Sequence, residues 1–476
     1  MKHEILDHPL IYFSKGQSGR FRKREVCSDA WTIRDACQGT AIFGAIGSGK
    51  TSGSGRALAR AFLSNHLGGL VLTAKRDEAE TWQRYCEETG RSDSLIQVSA
   101  RGSKYPYRFN FLDYEMHRAD DGGGRTENLV DLFATVLEID DDNRTEEPFW
   151  RNSLRELVRN AVDLLRLADQ PISIDALNEV IRSGPLSKAE VEESAFLHES
   201  YCAQCIGDAF ERAQNANDKH DLRRTTRYWT EEYPTIPEKT RGCILAMFRS
   251  LTSGFSRSDF HQLFCTDTTF TPEDTFRGRI ILLDLPTLAY QKTGTIAQAV
   301  FKYVWQKAVA RRDVSQNPRP VFLWVDEAQQ FVNSYDAAYQ AIARSHLGCT
   351  VFLTQNLPSY YATMNGRSSK DQADQLLGNF STLVFHQNSC PITNEWAASR
   401  IARTWQKRWS FTAGPGGASA TRSSSSEFQV DPYEFTVLRK GGPQSGFEVD
   451  AVLFQGGRTW DRTGKTFLPA TFSQRD

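Results

Sequence analysis

The chain has 476 residues, of which 39% are hydrophobic and 24% are charged. This composition is typical of a globular protein with enough apolar material for two or three domains. Its net charge of −1 excludes a uniformly basic coat for nucleic acid, although a local basic groove is compatible with it. The sequence has no apolar run of about 18 residues and no apolar core of a signal peptide near its start. We therefore expect a cytoplasmic protein that does not itself insert into a membrane.

The first 38 residues are polar and mixed in character, and we predict an N-terminal arm over residues 1–38. A small basic cluster lies within this arm and consists of Arg20, Arg22, Lys23 and Arg24. Two interpretations are open for the cluster: a solvated strand or arm, and a segment that contacts a phosphate backbone.

Residues 39–124 alternate apolar strands with helices. The apolar runs at 39–44, 68–74 and 94–99 are typical of buried strands. Helical spacing follows the first two runs, and acidic residues that suit a helix N-terminus open the second helix. This β-α-β-α-β order predicts a parallel sheet covered by helices.

Residues 125–269 change character, because helical periodicity is nearly continuous there and strand signals are almost absent. We predict an all-α domain inserted into the α/β domain. Within the insertion, Cys202 and Cys205 form a Cys-x-x-Cys pair. A structural zinc site needs four well-spaced ligands, so we interpret the two thiols as packing residues on one face of a helix.

The α/β pattern resumes over residues 270–476. Its main strand-like runs lie at 278–285, 321–326, 349–356 and 381–388. Helical segments separate these runs, as expected for further β-α units. The tract 413–428 is rich in small and polar residues, which predicts a mobile loop. Short β segments are expected in about the last 45 residues.

The candidate for nucleotide binding is the segment that follows the first strand of the sheet. It fits the pattern G-x-x-x-x-G-K-[ST]. Glycines let the backbone N–H groups of such a loop point at phosphate oxygens, and the next helix turns its positive end to the anion. The predicted ATP-binding residues are Gly44, Ala45, Ile46, Gly47, Ser48, Gly49, Lys50, Thr51 and Ser52. Lys50 would reach the β- and γ-phosphates and Thr51 would bind Mg²⁺. A plain glycine-rich turn is the alternative.

Two acids, Asp326 and Glu327, end a buried apolar strand. Burying carboxylates is costly, but Asp326 beside a Mg²⁺-triphosphate would support the metal, and Glu327 would act as general base on the attacking water. We therefore expect hydrolysis of ATP rather than binding alone. Gln355 ends the next strand and would sense the γ-phosphate or orient water, with a helix-capping amide as the alternative.

Arg344 lies between these two strands. In ring-shaped ATPases a neighbouring subunit supplies an arginine that stabilises charge in the transition state. The spacing of Arg344 is equally compatible with a solvated arginine at the end of a helix.

Taken together, these segments resemble the type IV secretion and conjugation coupling proteins, within the FtsK/HerA group of RecA-like DNA-pumping ATPases. The second strand and helix are similar to the family pattern, with Lys75 matching its lysine and Thr73 standing where an aspartate is usual. Phe111 replaces the proline of an Asn-Pro-Leu segment. The segments "GRIILLDLP", "WVDEAQQF", "ARSHLGCTVFLTQN" and "LLGNFSTLVFHQN" then follow in the family's order. The resemblance covers about residues 40–120 and 278–460.

The resemblance implies a RecA-like P-loop NTPase sheet with an inserted all-α domain. It implies a homo-hexameric ring with ATP sites between subunits, Arg344 acting in trans, and a central channel that passes DNA. Family members usually begin with membrane helices, and here only 43 residues precede Gly44. We therefore expect a member without membrane helices, either free or held at the inner membrane through a partner.

Candidate DNA contacts are Arg223, Arg224 and Arg227, with Tyr228 and Trp229 adjacent. Cations beside aromatic rings suit backbone tracking with base stacking. A charged helical face next to core aromatics gives the same pattern, so both interpretations stay open.

The sequence therefore favours an ATP-hydrolysing motor that moves single- or double-stranded DNA, with a relaxase, a secretion channel or a nuclease as protein partner. Two alternatives share the fold: a HerA-like subunit of a DNA-processing or phage-defence complex, and an ATPase that moves or remodels protein. A scaffold that binds ATP and seldom turns over is a third hypothesis, against which Glu327 argues.

Overall fold

The computed structural model describes residues 5–13, 29–102, 105–139, 148–364, 369–414 and 417–475. The basic cluster of Arg20, Arg22, Lys23 and Arg24 lies outside the described residues. The strands are β1 (Pro9–Tyr12), β2 (Ala30–Thr32), β3 (Thr40–Phe43), β4 (Gly68–Leu72), β5 (Leu95–Ser99), β6 (Ile280–Asp284), β7 (Val321–Val325), β8 (Gly348–Thr354), β9 (Thr382–Phe385), β10 (Arg403–Gly414), β11 (Gly417–Phe428), β12 (Glu448–Gln455) and β13 (Phe467–Ser473).

The helices connect and cover these strands. They are α1 (Ile33–Ala36), α2 (Arg56–Ser64), α3 (Glu78–Glu88), α4 (Phe111–His117), α5 (Thr126–Ile139), α6 (Pro148–Leu167), α7 (Ile174–Arg182), α8 (Ser194–Glu199), α9 (Tyr201–Arg212), α10 (Ala216–Arg227), α11 (Glu238–Thr252), α12 (Ser258–Phe264), α13 (Thr287–Arg311), α14 (Tyr335–Ala343), α15 (Leu357–Thr363), α16 (Ser369–Gly378), α17 (Pro391–Ile401) and α18 (Glu434–Val437). Helix α13 is interrupted at Gln291, whose φ of 48° is not helical. None of the described helices is long and apolar enough to cross a bilayer.

A nine-stranded sheet organises the fold, in the order β13-β12-β9-β3-β8-β7-β4-β6-β5. The strands from β9 to β5 in this order run parallel. Strands β12 and β13 are antiparallel and close one edge. The prediction of an α/β fold with a parallel sheet is confirmed, and the carboxyl ends of the parallel strands share one edge.

Both faces of the central strands are buried, which explains why these strands read as continuous apolar runs. In β7, Leu323 points into the core on one face of the sheet, whereas Phe322 and Trp324 point into the core on the other. Helices α2 and α3 cover the second face. The helices of residues 126–264 contribute to the same core as Leu323. That these helices form a separate inserted domain stays a prediction.

Within the tract 413–428, residues 413–414 and 417–428 form strand rather than loop. Strands β10 and β11 pair in antiparallel register from Arg403↔Phe428 to Gly414↔Gly417. The prediction of a mobile loop fails because a serine- and threonine-rich strand needs no apolar alternation when its partner strand supplies the backbone hydrogen bonds.

Residues 29–38, the end of the predicted arm, pack on the body of the protein. Trp31 and Cys37 lie in the core, and Asp29 accepts hydrogen bonds from the backbone N–H groups of Asp461 and Arg462. In a segment as short as 29–38, the few apolar residues show neither the period of a strand nor that of a helix. The sequence therefore did not indicate that this segment packs on the core.

A buried ion pair joins two helices on the side of the sheet covered by α13. Lys302 of α13 contacts Asp336 of α14, and their side chains are 0% and 1% exposed. Asp336 also accepts hydrogen bonds from Gln306 Nε2 and from the backbone N–H of Asn333, both at 2.8 Å. Burial lowers the pKa of Lys302, and the pair with Asp336 opposes this shift.

We predict that Lys302→Met lowers the free energy of unfolding by about 3–5 kcal/mol, because Asp336 would stay buried without its counter-charge. Denaturant titration followed by circular dichroism measures the change. Lys219→Met removes an exposed lysine as a control and should change stability by less than about 0.5 kcal/mol. A loss for Lys302→Met as small as that of the control would contradict the buried ion pair.

Candidate nucleotide-binding site

The glycine-rich loop connects β3 to the first turn of a helix. Its start is tied to two neighbouring strands, because Gly44 N donates to Thr354 O at 3.2 Å and Ala45 N donates to Gln387 O at 2.9 Å. Gly47 and Gly49 have φ values of 70° and 83°, which glycine adopts without strain. The chain then enters a wide turn, Thr51–Gly55, that continues into α2.

Steric constraints disfavour side chains at two of the loop's glycines, Gly44 and Gly49. A Cβ on Gly49 would lie 2.6 Å from Val449 Cγ2, and one on Gly44 would lie 2.4 Å from Ser48 Oγ. The buried Ser48 hydroxyl has no hydrogen-bond partner within the described part of the chain. Buried polar groups are normally hydrogen-bonded, so the loop offers a donor to an additional group.

The lysine and threonine of the loop lie beside the acids of β7. Lys50 is buried. Thr51 Oγ1 donates to Asp326 Oδ2 at 3.2 Å, so the two predicted Mg²⁺ residues are adjacent. Asp326 Oδ1 accepts from Glu327 N at 2.9 Å. Hydroxyl and carboxylate oxygens at this edge match the oxygen ligands that Mg²⁺ prefers.

Glu327 is held in a backbone conformation that is uncommon for a side chain of its type. Its φ is 48°, in the left-handed region, and the residue is 3% exposed. A backbone conformation of this kind is strained for a non-glycine residue, and it persists only where surrounding contacts hold it. Such residues are concentrated at functional sites.

The carboxylate of Glu327 receives three side-chain donors. Lys75 Nζ lies 3.2 Å and Gln355 Nε2 lies 3.1 Å from Oε1, and Gln329 Nε2 lies 2.9 Å from Oε2. Burial alone would raise the pKa of Glu327, but the hydrogen bond from Gln329 and the charge of Lys50 outweigh it. The pKa of Glu327 is therefore lowered, and the group is ionised near neutral pH.

Lys75 and Glu78 are members of this site that the residue pattern did not assign a role. Lys75 Nζ lies between Glu327 and Glu78, 3.9 Å from Glu78 Oε1. Burial and the charge of Asp326 raise the pKa of Glu78 to about 8. Both residues border a cavity of about 140 Å³ beside Thr51 and Asp326. Glu78 could be read from sequence only as an acid that suits a helix N-terminus, since its distance to Asp326 depends on the fold.

His386 is a second group that the sequence did not indicate. It follows β9, and its Nδ1 donates to Asp450 O at 3.1 Å while Nε2 accepts from Ser54 Oγ at 2.7 Å. A Cβ on Gly44 would lie 2.9 Å from His386 Cβ. Burial lowers the pKa of His386 to about 4, so the neutral imidazole supports the loop and the start of its helix.

Arg344 lies at the opposite edge of the sheet from these residues. It precedes β8, and its side chain is exposed. Strand β8 has seven residues and runs parallel to β7, so roughly 20 Å separates its two ends at about 3.3 Å per residue. Arg344 therefore does not reach Glu327 of its own chain.

The three arginines of α10 are exposed, but the adjacent rings are not. Arg223, Arg224 and Arg227 lie on the surface, and Arg227 Nε lies 3.2 Å from Glu232 Oε1. The rings next to them belong to the core, with Trp229 0% exposed. The interpretation of these rings as base-stacking groups is wrong, because their apolar surface is already covered by protein.

No family model matches this sequence, and no curated protein sequence matches it. Among solved structures, the bacterial conjugative coupling protein TrwBΔN70 in an unbound form is 15% identical, covers 96% of this chain and 91% of its own, and gives a TM-score of 0.57. TrwB with ADP and Mg²⁺ is 14% identical, with 96% and 91% covered and a TM-score of 0.59.

The chain shares the fold of the coupling protein TrwB. A third structure, TrwB with the non-hydrolysable ATP analogue ADPNP, gives 15% identity, 96% and 92% coverage and a TM-score of 0.56. The likeness confirms the fold that the coupling-protein resemblance implied. The TrwB likeness spans nearly the whole chain, including the helical region.

The neutral His386 predicts a pH-dependent stability. Its pKa is about 4 in the folded chain, against an ordinary value of 6.5. Below about pH 6.5 the unfolded state holds more protons, so this group makes stability fall as the pH drops toward about 4. Between pH 7.5 and pH 4.5, we expect the free energy of unfolding of His386→Gln to fall by about 2–3 kcal/mol less than that of the wild type. Denaturant titrations at the two pH values measure the difference.

His198→Gln serves as the control for this experiment, because His198 is exposed and its removal should leave the pH dependence unchanged. A wild-type pH dependence in His386→Gln would contradict a buried neutral imidazole.

Proposed function

We propose that this protein hydrolyses ATP with Mg²⁺ and couples the reaction to the movement of DNA. The observation that supports this best is the convergence of Lys50, Thr51, Asp326 and Glu327, with Gln355, at the carboxyl edge of neighbouring parallel strands. Ligands of open α/β sheets bind at this edge. The TrwB structures with ADPNP and with ADP and Mg²⁺ support the choice of nucleotide and metal.

Binding is assigned to the glycine-rich loop. Its N–H groups and the Ser48 hydroxyl would cradle the phosphates, and Lys50 would neutralise charge on the β- and γ-phosphates. Thr51 and Asp326 would hold Mg²⁺, which supplies charge neutralisation on the phosphate oxygens when bound.

Hydrolysis is assigned to Glu327 and Gln355. Gln355 would orient a water, and the ionised Glu327 would accept a proton from it as the water oxygen attacks the γ-phosphorus. The bond from the γ-phosphorus to the bridging oxygen breaks, and ADP and phosphate leave. The hydrogen bonds that the Glu327 carboxylate accepts hold it in place beside the position proposed for this water.

Arg344 is proposed to act in trans within a homo-hexameric ring. Its position at the far edge of the sheet excludes a contact with the nucleotide of its own chain, so any role at the γ-phosphate needs a neighbouring subunit. Arginines of this kind contribute about 10³–10⁵-fold to the rate.

The DNA partner rests on the likeness to conjugative and plasmid coupling proteins. A relaxase, a secretion channel or a nuclease is the corresponding class of protein partner, and attachment to the inner membrane would depend on it. A HerA-like role in DNA processing or defence, or the remodelling of protein, would use the same ATP site.

ATP hydrolysis by the purified protein tests the proposal, with and without single- or double-stranded DNA. We expect DNA to raise the rate, Lys50→Ala to abolish nucleotide binding, and Glu327→Gln to bind ATP but hydrolyse it about 10²–10⁴-fold more slowly. Lys219→Ala controls for loss of an exposed lysine. Hydrolysis that ignores both forms of DNA would overturn the DNA motor and favour a protein partner.

Subunit mixing tests the role of Arg344. Arg344→Ala alone should bind ATP normally and hydrolyse it about 10³-fold more slowly. Mixing it with Glu327→Gln should restore part of the activity, because some interfaces then combine an intact Glu327 with an intact Arg344. Arg182→Ala, which removes another exposed arginine at a helix end, is the control and should be fully active. Full activity of Arg344→Ala on its own would refute the assignment.

A further inference from the structure

The strands β10 and β11 form a two-stranded ribbon that extends from the rest of the described chain. Its base is anchored: Phe428 packs against the core, and Gln429 N donates to Ala402 O at 3.1 Å. Residues 402–411 are exposed without interruption. An isolated two-stranded ribbon is marginally stable in water, so a ribbon exposed on both faces is suited to receive a partner.

One face of this ribbon is both aromatic and cationic. Successive residues of a strand alternate between faces, and directly paired residues share a face. The pairs Trp405↔Ser426, Lys407↔Ser424 and Trp409↔Arg422 therefore lie together. The described members of this face, hereafter the aromatic face, are Arg403, Trp405, Lys407, Trp409, Phe411, Ala420, Arg422, Ser424, Ser426 and Phe428.

The composition of the aromatic face identifies the kind of partner. Trp405, Trp409 and Phe411 are 72%, 57% and 79% exposed, and three cations are interleaved with them, while no carboxylate belongs to the described part of this face. The opposite face differs, because its Arg408 is paired with Glu427 at 2.7 Å. Exposed rings alternating with cations that have no ion-pair partner among the described residues match a ligand that alternates planar aromatic groups with negative charges.

We propose that the aromatic face binds single-stranded DNA, with bases stacked on Trp405 and Trp409 and phosphates contacted by Lys407 and Arg422. Trp405 and Trp409 are four residues apart on β10, which separates them by about 13 Å at about 3.3 Å per residue, whereas stacked bases are about 3.4 Å apart. Each ring needs a base whose face is free, so the two rings can take bases only from a strand whose own stacking is opened. The bases of a duplex are paired and stacked, which makes duplex DNA a poorer ligand.

A second copy of the chain fits this face less well. Two copies would bring Arg403, Lys407 and Arg422 against the same cations, and like charges directly opposed are destabilising. The apolar rings are also separated by charges rather than joined into the continuous patch typical of protein interfaces.

The base of the ribbon is connected to the candidate ATP site. Helix α17 leads from Asn388 to β10, and the chain after β11 returns to Phe435, whose carbonyl accepts from Asn388 N at 3.1 Å. Asn388 Nδ2 in turn donates to Gln355 O at 2.7 Å. If the proposed function holds, single-stranded DNA on the ribbon is placed to influence Gln355; binding to the ribbon does not itself depend on hydrolysis.

The test measures binding of a fluorescent oligothymidine of about 20 nucleotides by anisotropy. All variants are made in Lys50→Ala, so that the result is independent of ATP hydrolysis. Trp405→Thr with Trp409→Thr keeps residues of high strand propensity and should weaken binding about 30-fold. Trp405→Phe with Trp409→Phe retains rings for stacking and should bind within about threefold of the parent.

The control for the aromatic variants changes the opposite face. Thr404→Ala with Gln406→Ala should leave binding unchanged. Equal losses from the threonine pair, the phenylalanine pair and this control would overturn the proposal, because they would report damage to the ribbon. Unchanged binding in the threonine pair would overturn it as well.

A charge series tests the phosphate contacts. Replacing Lys407 and Arg422 with glutamine should reduce the slope of log affinity against log salt by about 1.4, at about 0.7 per phosphate contact on a single strand. Arg408→Gln removes one cation from the opposite face and should leave the slope unchanged. Tighter binding of duplex than of single-stranded DNA by the parent, or a change of oligomeric state without a change in DNA binding in the threonine pair, would contradict the proposal.

In the chain with Lys50 intact, the threonine pair should hydrolyse ATP at the wild-type basal rate and lose stimulation by single-stranded DNA. If the wild-type chain shows no ATP hydrolysis at all, the proposed function fails, while the binding result still decides the role of the ribbon.

Discussion

The carboxylate of Glu327 connects the ends of neighbouring strands. Glu327 follows β7, while its donors Lys75 and Gln355 follow β4 and β8, and the glycine-rich loop follows β3. These four strands are adjacent in the order β3-β8-β7-β4. Because they are parallel, their carboxyl ends meet at one edge, and four distant parts of the sequence form one site. Because Glu327 is buried between these strand ends, hydrogen bonds and charges from neighbouring side chains, rather than water, stabilise its ionised carboxylate.

The sequence predicted those parts of this arrangement that a local residue pattern encodes. Continuous apolar runs identified the parallel strands, and the glycine-lysine spacing and the acids after β7 identified the loop and its neighbours. These signals are local, since each lies within one strand and the turn after it. The contacts of Lys75, Glu78 and His386 depend instead on which strands are adjacent, and strand order is not encoded in the periodicity of any single segment.

The errors have a similar physical origin. Tyr228 and Trp229 follow a charged helix, and a one-dimensional pattern does not distinguish a ring that faces solvent from one that faces the core. The tract 413–428 reads as a loop because serine, threonine and glycine lack apolar alternation. Its pairing partner, β10, carries three of the four aromatic residues of the two strands, so the strand character of the ribbon is visible only when the two strands are considered together.

The helices of residues 126–264 share one continuous hydrophobic core with a face of the sheet. Residues such as Leu157 and Trp229 belong to the same core as Phe301 and Leu283. Removing these helices would therefore expose apolar side chains of the sheet and of α13 to water. This packing couples the helices directly to the sheet. A displacement of a strand end would therefore be transmitted to these helices as a rigid-body movement.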